Sequence, residues 1–252
     1  MERSEFLKKM RARTELMYDH FAPAYWVSYG TYDSPVHDQF LEKFLGRLKP
    51  GSEILSAGCG AGRFDGILVG AGHTVLGIDQ SGGMLARARE HFPLEQFPRL
   101  KYEKIGLQEM DFHAQFEGLV CLDALEHVPP EDWPGIVQRF SEALKPGGVL
   151  YVTVEEPDWD EVQAAYERAR TLGLPVVFGE VADEVDSTSQ QIAEKDPLQT
   201  PGEETDGAVY HFHPGMEQVQ TWFEQVGLRI EEKGSGLWYA HLLARKQGSS
   251  SS

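Results

Sequence analysis

Four short apolar runs, Ile54–Ala57, Thr74–Ile78, Leu119–Leu122 and Val149–Val154, with a further strand-like stretch near residues 100–105, recur among helical patterns, and this alternation constrains the fold more than any other feature. Strands alternating with helices imply a parallel sheet covered by helices on both faces. Ser34 precedes Pro35 at a first helical position, and Val36, Phe40, Leu41, Phe44, Leu45 and Leu48 follow at helical spacing until Lys49-Pro50-Gly51 stops the run. A second helix leads from a glycine run through Phe64 and Leu68, a third spans about residues 81–91, and Trp133, Ile136, Val137, Phe140 and Leu144 mark a fourth. Late in the chain a helix carrying Met216, Val219, Trp222, Phe223 and Val226 is closed by Gly227 and followed by strands at Leu228–Glu231 and Leu237–Ala244.

Residues 156–206 break the rhythm. They hold 14 Asp or Glu against 3 Lys or Arg, a net −11 out of the −17 carried by all 252 residues. A long acidic segment inside an α/β domain reads as a lid that disfavours anionic acceptors and tolerates neutral or cationic ones. The chain divides accordingly into a helical N-terminal cap (1–33), a core (34–155 and 207–246), an acidic lid (156–206) and a disordered tail (247–252). The overall charge would repel a phosphate backbone, so no nucleic-acid partner is expected. Cys59 and Cys121 form no C-x-x-C pair, the first residues lack the apolar segment of a secretory signal, and no apolar run approaches the roughly 20 residues of a membrane span. The expected protein is cytoplasmic, without a membrane partner, and a monomer or homodimer.

The run Gly58-Cys59-Gly60-Ala61-Gly62-Arg63-Phe64 follows a strand and opens a helix. Glycine lets a backbone turn sharply and approach a ligand where a Cβ would collide. Asp79 ends the second strand 21 residues after Gly58, where a carboxylate can accept hydrogen bonds from both ribose hydroxyls. The pair fits a dinucleotide or an adenosyl ligand. A G-x-G-x-x-G fingerprint would need glycine at Arg63, and no G-K-S or G-K-T follows, which removes the dinucleotide fingerprint and the P-loop.

With the glycines spaced G-x-G-x-G, Leu55-Ser56-Ala57-Gly58-Cys59-Gly60-Ala61-Gly62 resembles the first motif of the class I S-adenosylmethionine-dependent methyltransferases. Ile78-Asp79-Gln80-Ser81-Gly82-Gly83-Met84-Leu85-Ala86-Arg87-Ala88 resembles the second. Phe116 to Val128, which includes Leu122-Asp123-Ala124-Leu125-Glu126-His127, resembles the fourth as written in ubiquinone-biosynthesis O-methyltransferase relatives, and Leu144-Lys145-Pro146-Gly147-Gly148-Val149-Leu150 resembles the turn before the fifth strand. The resemblance covers roughly residues 50–155, and the chain end resembles the family's last helix and hairpin. It implies a doubly wound, seven-stranded, mostly parallel sheet with an antiparallel last strand. It also implies S-adenosyl-L-methionine as cofactor and S-adenosyl-L-homocysteine as product, bound by Tyr18, Tyr25, Gly58, Cys59, Gly60, Asp79, Gln80, Met84, Leu107, Gln108, Leu122 and Asp123. The family's usual Gly-Asp after the third strand is here Gly106-Leu107-Gln108, where the Gln108 side-chain oxygen takes over as acceptor for the adenine amino group.

Methyl transfer needs a nucleophile held in line with a sulfonium and kept from water, while a base is optional. His127 lies just past the fourth strand, where ligands bind in doubly wound sheets, and is the first catalytic candidate. His211 and His213 follow, because alternation in Tyr210-His211-Phe212-His213 puts both imidazoles on one face and both aromatics on the other. Asp123, Glu126 and His127 form a D-x-x-E-H set that suits a divalent ion, yet cofactor contact and capping explain the same residues, and no metal is expected. Tyr18, Phe21, Tyr25 and Trp26, within a stretch resembling the family's Y-D-x-F-A-x-x-Y segment, are either a cation-attracting cluster or a core-facing helix stripe, and Pro23 is expected to interrupt the helix before Tyr25. The expected activity is methylation of a hydroxyl or amine on a small-molecule acceptor. The alternatives are a nucleoside-binding protein without turnover and a protein methyltransferase.

Overall fold

A computed structural model describes residues 1–30, 34–182, 210–236 and 238–248. The expected tail from 249 on and residues 183–206 of the expected lid lie outside the described residues. The apolar runs and the stretch near residues 100–105 form strands β1 (Glu53–Ala57), β2 (Thr74–Asp79), β3 (Leu100–Lys104), β4 (Phe116–Cys121) and β5 (Leu144–Glu155), joined near the chain end by β8 (Leu228–Gly236) and β9 (Tyr239–Lys246). The sheet has seven strands in the order β3-β2-β1-β4-β5-β9-β8. β1 through β5 pair in parallel, and β9 is antiparallel to both neighbours, so the last strand of the chain runs against the other six. The order reverses direction at β1, whose neighbours are β2 and β4, and the crevice beyond the carboxyl ends of β1 and β4 is the position such sheets use for ligands.

Helices cover both faces because β1, β2 and β4 bury side chains on each. On one face α2 (Pro35–Leu45) brings Phe40, Leu41 and Phe44 onto Val120, Val149 and Tyr151. Its start follows the sequence: Ser34 Oγ accepts from the His37 amide at 3.4 Å, and Pro35 stands at the first turn. On the other face α5 (Trp133–Ala143) and α7 (Met216–Gln225) pack Trp133, Ile136, Phe140, Val219 and Phe223 against Leu119, Cys121 and Leu150. Each such side chain buried from water contributes about 1.5–3 kcal/mol.

The N-terminal cap is one long helix, α1 (Arg3–Tyr25). The expected break at Pro23 does not occur. Pro23 is exposed inside the helix, which runs through Tyr25 into a π-helical turn at Trp26–Gly30, so the loosened hydrogen-bonding falls after the proline. Phe6, Leu7 and Met10 bury into the core on the α5 side. Arg3 and Arg11 anchor the helix with bidentate contacts, Arg3 to Glu180 at 2.6 and 2.8 Å and Arg11 to Asp132 at 2.8 and 2.7 Å. Asp19 fixes α1 to α4 (Gly82–His91), accepting from Ser81 Oγ at 2.5 Å and the Gly83 amide at 2.8 Å.

The described part of the acidic stretch contains α6 (Trp159–Thr171) and β6 (Glu180–Val181), and β6 pairs antiparallel with β7 (His211–Phe212). Among the described residues no helix is long and apolar enough to cross a membrane.

Candidate active site

Gly58, directly after β1, has φ of +66°, and a Cβ there would lie 2.8 Å from the Ala124 Cβ beyond β4. Glycine alone lets these two strand ends come so close. Above them opens a cleft of about 720 Å³, counting the space continuous with solvent. Tyr18, Tyr25, Gly58, Gly60, Asp79, Gln80, Met84, Leu107, Gln108, Asp123 and His127, all site candidates from the sequence, line it. Cys59 and Leu122 do not. They line a smaller recess behind Gly58, where burial pushes the Cys59 thiol well above its usual range. Ala124 and Val128 of the fourth motif also border the cleft, as do Arg11, Thr14 and Ile105, which no motif marks.

Asp79 is placed by the loop it faces. Its Oδ2 accepts the Gly60 amide and its Oδ1 the Ser81 amide, each at 2.8 Å. Burial raises its pKa against the pull of those two amides, and each oxygen keeps a lone pair for a ligand hydroxyl. Gln108 donates its amide nitrogen to Asp132 Oδ2 at 3.2 Å, which leaves the side-chain oxygen as the acceptor. Asp123, with φ of +51°, turns its carboxylate to His37 at 3.0 Å, Thr153 at 3.0 Å and Arg63 at 3.5 Å. Its charge is therefore committed to protein partners, and the D-x-x-E-H set does not converge.

The aromatic segment splits between both expected readings. Tyr18 and Tyr25 meet edge to face at the cleft with ring centroids 6.3 Å apart, whereas Phe21 packs on Met17 and Trp26 stacks on His91 at 3.8 Å. Tyr18 Oη lies 2.6 Å from His127 Nε2. His127 Nδ1 faces the Tyr210 carbonyl at 3.3 Å, and a carbonyl only accepts, so the proton sits on Nδ1 and the Tyr18 hydroxyl donates to Nε2. Burial and then the charge of His211 push the His127 pKa down to about 3, which keeps the imidazole neutral and makes it a weak base.

His211 and His213 do not line the cleft, although the His127 and His211 rings meet at 4.9 Å. Both imidazoles share a face, as the alternation predicts, and turn to Glu155, which no sequence motif marked. His211 Nδ1 is 3.1 Å and His213 Nδ1 3.3 Å from Glu155 Oε2. Burial opposes ionisation of Glu155, but a hydrogen bond from His211 and the charges of both histidines outweigh it and hold the pKa below its ordinary value. Nearby Glu126 accepts from Tyr239 Oη at 3.0 Å, and burial followed by repulsion from Glu155 pushes its pKa up to about 8.

Residues 54–148 match a family described as "Methyltransferase domain". A ubiquinone biosynthesis O-methyltransferase of Acinetobacter baylyi is 30% identical over 120 residues, covering 47% of this chain and 49% of that protein, so the chain spans about half the length of the curated relatives it matches first. A solved S-adenosylmethionine-dependent methyltransferase of Methanosarcina mazei superposes with a TM-score of 0.64 at 17% identity over 86% of this chain and 99% of the other. The 1,6-didemethyltoxoflavin-N1-methyltransferase of Burkholderia thailandensis, solved with its acceptor and S-adenosylhomocysteine, does so with a TM-score of 0.58 at 16% identity over 94% and 90%. Across residues 54–148 the chain is thus similar in sequence to the methyltransferase-domain family, and across most of its length it has the fold of these solved methyltransferases.

Proposed function

We propose that the protein transfers the methyl group of S-adenosylmethionine to a hydroxyl or amine of a small molecule by in-line displacement. The acceptor lone pair forms the new bond to the methyl carbon as the carbon–sulfur bond breaks, and S-adenosylhomocysteine leaves with the sulfur electron pair. The observation that carries this reading is the cleft at the switch point of the sheet. It combines the Gly58–Gly60 loop and the fixed Asp79 carboxylate with an aromatic wall of Tyr18 and Tyr25. In this arrangement Asp79 holds the ribose, and the tyrosine faces favour a sulfonium cation and exclude water beside it. His127 is a weak base, so we assign it to orienting Tyr18, with most of the rate coming from positioning. The O-methyltransferase names of the curated relatives favour a hydroxyl acceptor, while the toxoflavin neighbour shows that the fold also serves nitrogen.

The test incubates the full chain with methyl-labelled S-adenosylmethionine and fractionated metabolites. Label in a small hydroxyl or amine compound supports the proposal. Label only in protein, or cofactor binding with no transfer to any fraction, would overturn it in favour of a protein acceptor or a binding protein.

A further inference from the structure

Glu155, His211 and His213 bring one donor atom each within 4.8 Å of one another. They come from separate parts of the chain: Glu155 ends β5, while His211 opens β7 and His213 directly follows it, the two alternating with the buried Tyr210 and Phe212. The backbone fixes their spacing. Val181 pairs with His211 across the β6–β7 ladder, and the His213 amide donates to the Gly179 carbonyl at 2.9 Å. Gly179 has φ of +98°, and a Cβ there would lie 2.8 Å from the His213 carbonyl oxygen, so this approach requires glycine.

Two features distinguish the cluster from a simple ion-paired triad. His213 Nδ1 and Glu155 Oε2 are buried and, although 3.3 Å apart, make no hydrogen bond with each other, so the nitrogen and the oxygen face a common point more than each other. The nitrogen-to-oxygen separations of 3.1 and 3.3 Å also fall close to the edge of a tetrahedron of ligands, about 3.4 Å when each sits about 2.0–2.1 Å from a central ion. Imidazole nitrogen with one carboxylate suits a borderline transition metal and suits calcium or magnesium poorly, since those ions prefer an all-oxygen shell.

We propose that Glu155, His211 and His213 bind a divalent transition-metal ion of the zinc class. Three protein ligands leave a coordination position for water or another oxygen ligand, the pattern of open rather than closed sites. None of the three lines the cofactor cleft, so the site stands apart from the methyl-transfer reading and the two can fail separately.

The experiment titrates the chelator-treated full chain with Zn²⁺ by calorimetry and with Co²⁺ by visible absorption, measuring S-adenosylhomocysteine affinity in parallel. One ion per chain is expected, with the ligand-field bands of low-coordinate Co²⁺. His213→Ala and Glu155→Gln are each expected to weaken the metal more than tenfold with S-adenosylhomocysteine affinity unchanged. Absence of stoichiometric binding overturns the proposal, as does binding that both variants retain, which would place the ion elsewhere. Should the variants fail to fold, the denaturation midpoint of the unsubstituted chain decides. A rise with Zn²⁺ that Mg²⁺ does not reproduce supports the site, and indifference to Zn²⁺ refutes it.

Discussion

Arg3 offers the clearest test of how α1 is held over the cleft. Its guanidinium grips Glu180 through two bonds at 2.6 and 2.8 Å, reaches Glu131 at 2.8 and 2.9 Å, and donates to the Pro175 carbonyl at 2.7 Å. The Glu180 side chain is 0% exposed, while Arg3 is 25% and Glu131 45% exposed. In Arg3→Ala, Glu180 keeps, among the described residues, the Val177 amide at 2.6 Å and the Tyr210 hydroxyl, and a buried carboxylate loses its arginine counter-charge. Removing one partner of a fully buried pair costs about 3–5 kcal/mol. The exposed Glu131 arm adds little, and the partial exposure of Arg3 lowers the figure, so we expect a loss of about 2–3 kcal/mol in urea unfolding followed by circular dichroism. The double variant Arg3→Ala/Glu180→Gln should recover part of that loss, because no unpaired charge remains. Since α1 supplies Arg11, Thr14, Tyr18 and Tyr25 to the cleft, Arg3→Ala should also bind S-adenosylhomocysteine more weakly. A loss under about 0.5 kcal/mol, typical of an exposed ion pair, with no recovery in the double variant, would show that Arg3 does not anchor α1 through Glu180.

Two further outcomes follow from buried polar groups near the cleft. Tyr18→Phe removes the 2.6 Å donor to His127 Nε2 and leaves a half-buried acceptor unpaired, so the urea midpoint should fall by an amount equivalent to about 1 kcal/mol, and an unchanged midpoint would show that water replaces the hydroxyl. Asp65, 1% exposed at the start of α3 (Asp65–Gly70), has its pKa raised from 3.8 to about 6, by burial against the opposing pull of Ser56 and Tyr102. The folded state therefore holds this proton more tightly than the unfolded chain. The resulting stability is fully present below about pH 4 and is lost as pH rises through about 6, a change of about 3 kcal/mol. Asp65→Asn should remove that component from the pH dependence of unfolding, and a variant with the full wild-type slope would contradict the assignment.

The parts of this protein written in local sequence were the parts that could be read there. The Gly58–Gly62 loop, Asp79 and the strand alternation each depend on residues close in the chain, and the i, i+2 spacing of His211 and His213 put them on one face as the structure does. What escaped was set by distant partners. Glu155 looks like an ordinary polar strand end until β7, 56 positions later, brings two imidazoles to it. No local pattern marks Arg3 and Arg11, because their partners Glu180 and Asp132 lie 177 and 121 residues away. Pro23 was over-read: its ring opposes helix at the preceding residue, yet burial of Ala22 and Ala24 and the docking of Tyr25 at the cleft carry the helix past it. Asp123 lines the cleft, but the partners of its carboxylate there, His37, Thr153 and Arg63, are distant in sequence and no motif marks them.

Calorimetric titration of the full chain with S-adenosylhomocysteine shows whether the Gly58–Asp79 cleft binds the adenosyl cofactor. We predict saturable binding at one equivalent per chain, weakened more than tenfold, about 1.4 kcal/mol or more, in Asp79→Ala. No saturable binding by the unsubstituted chain, or equal affinity in the variant, would contradict binding in this cleft.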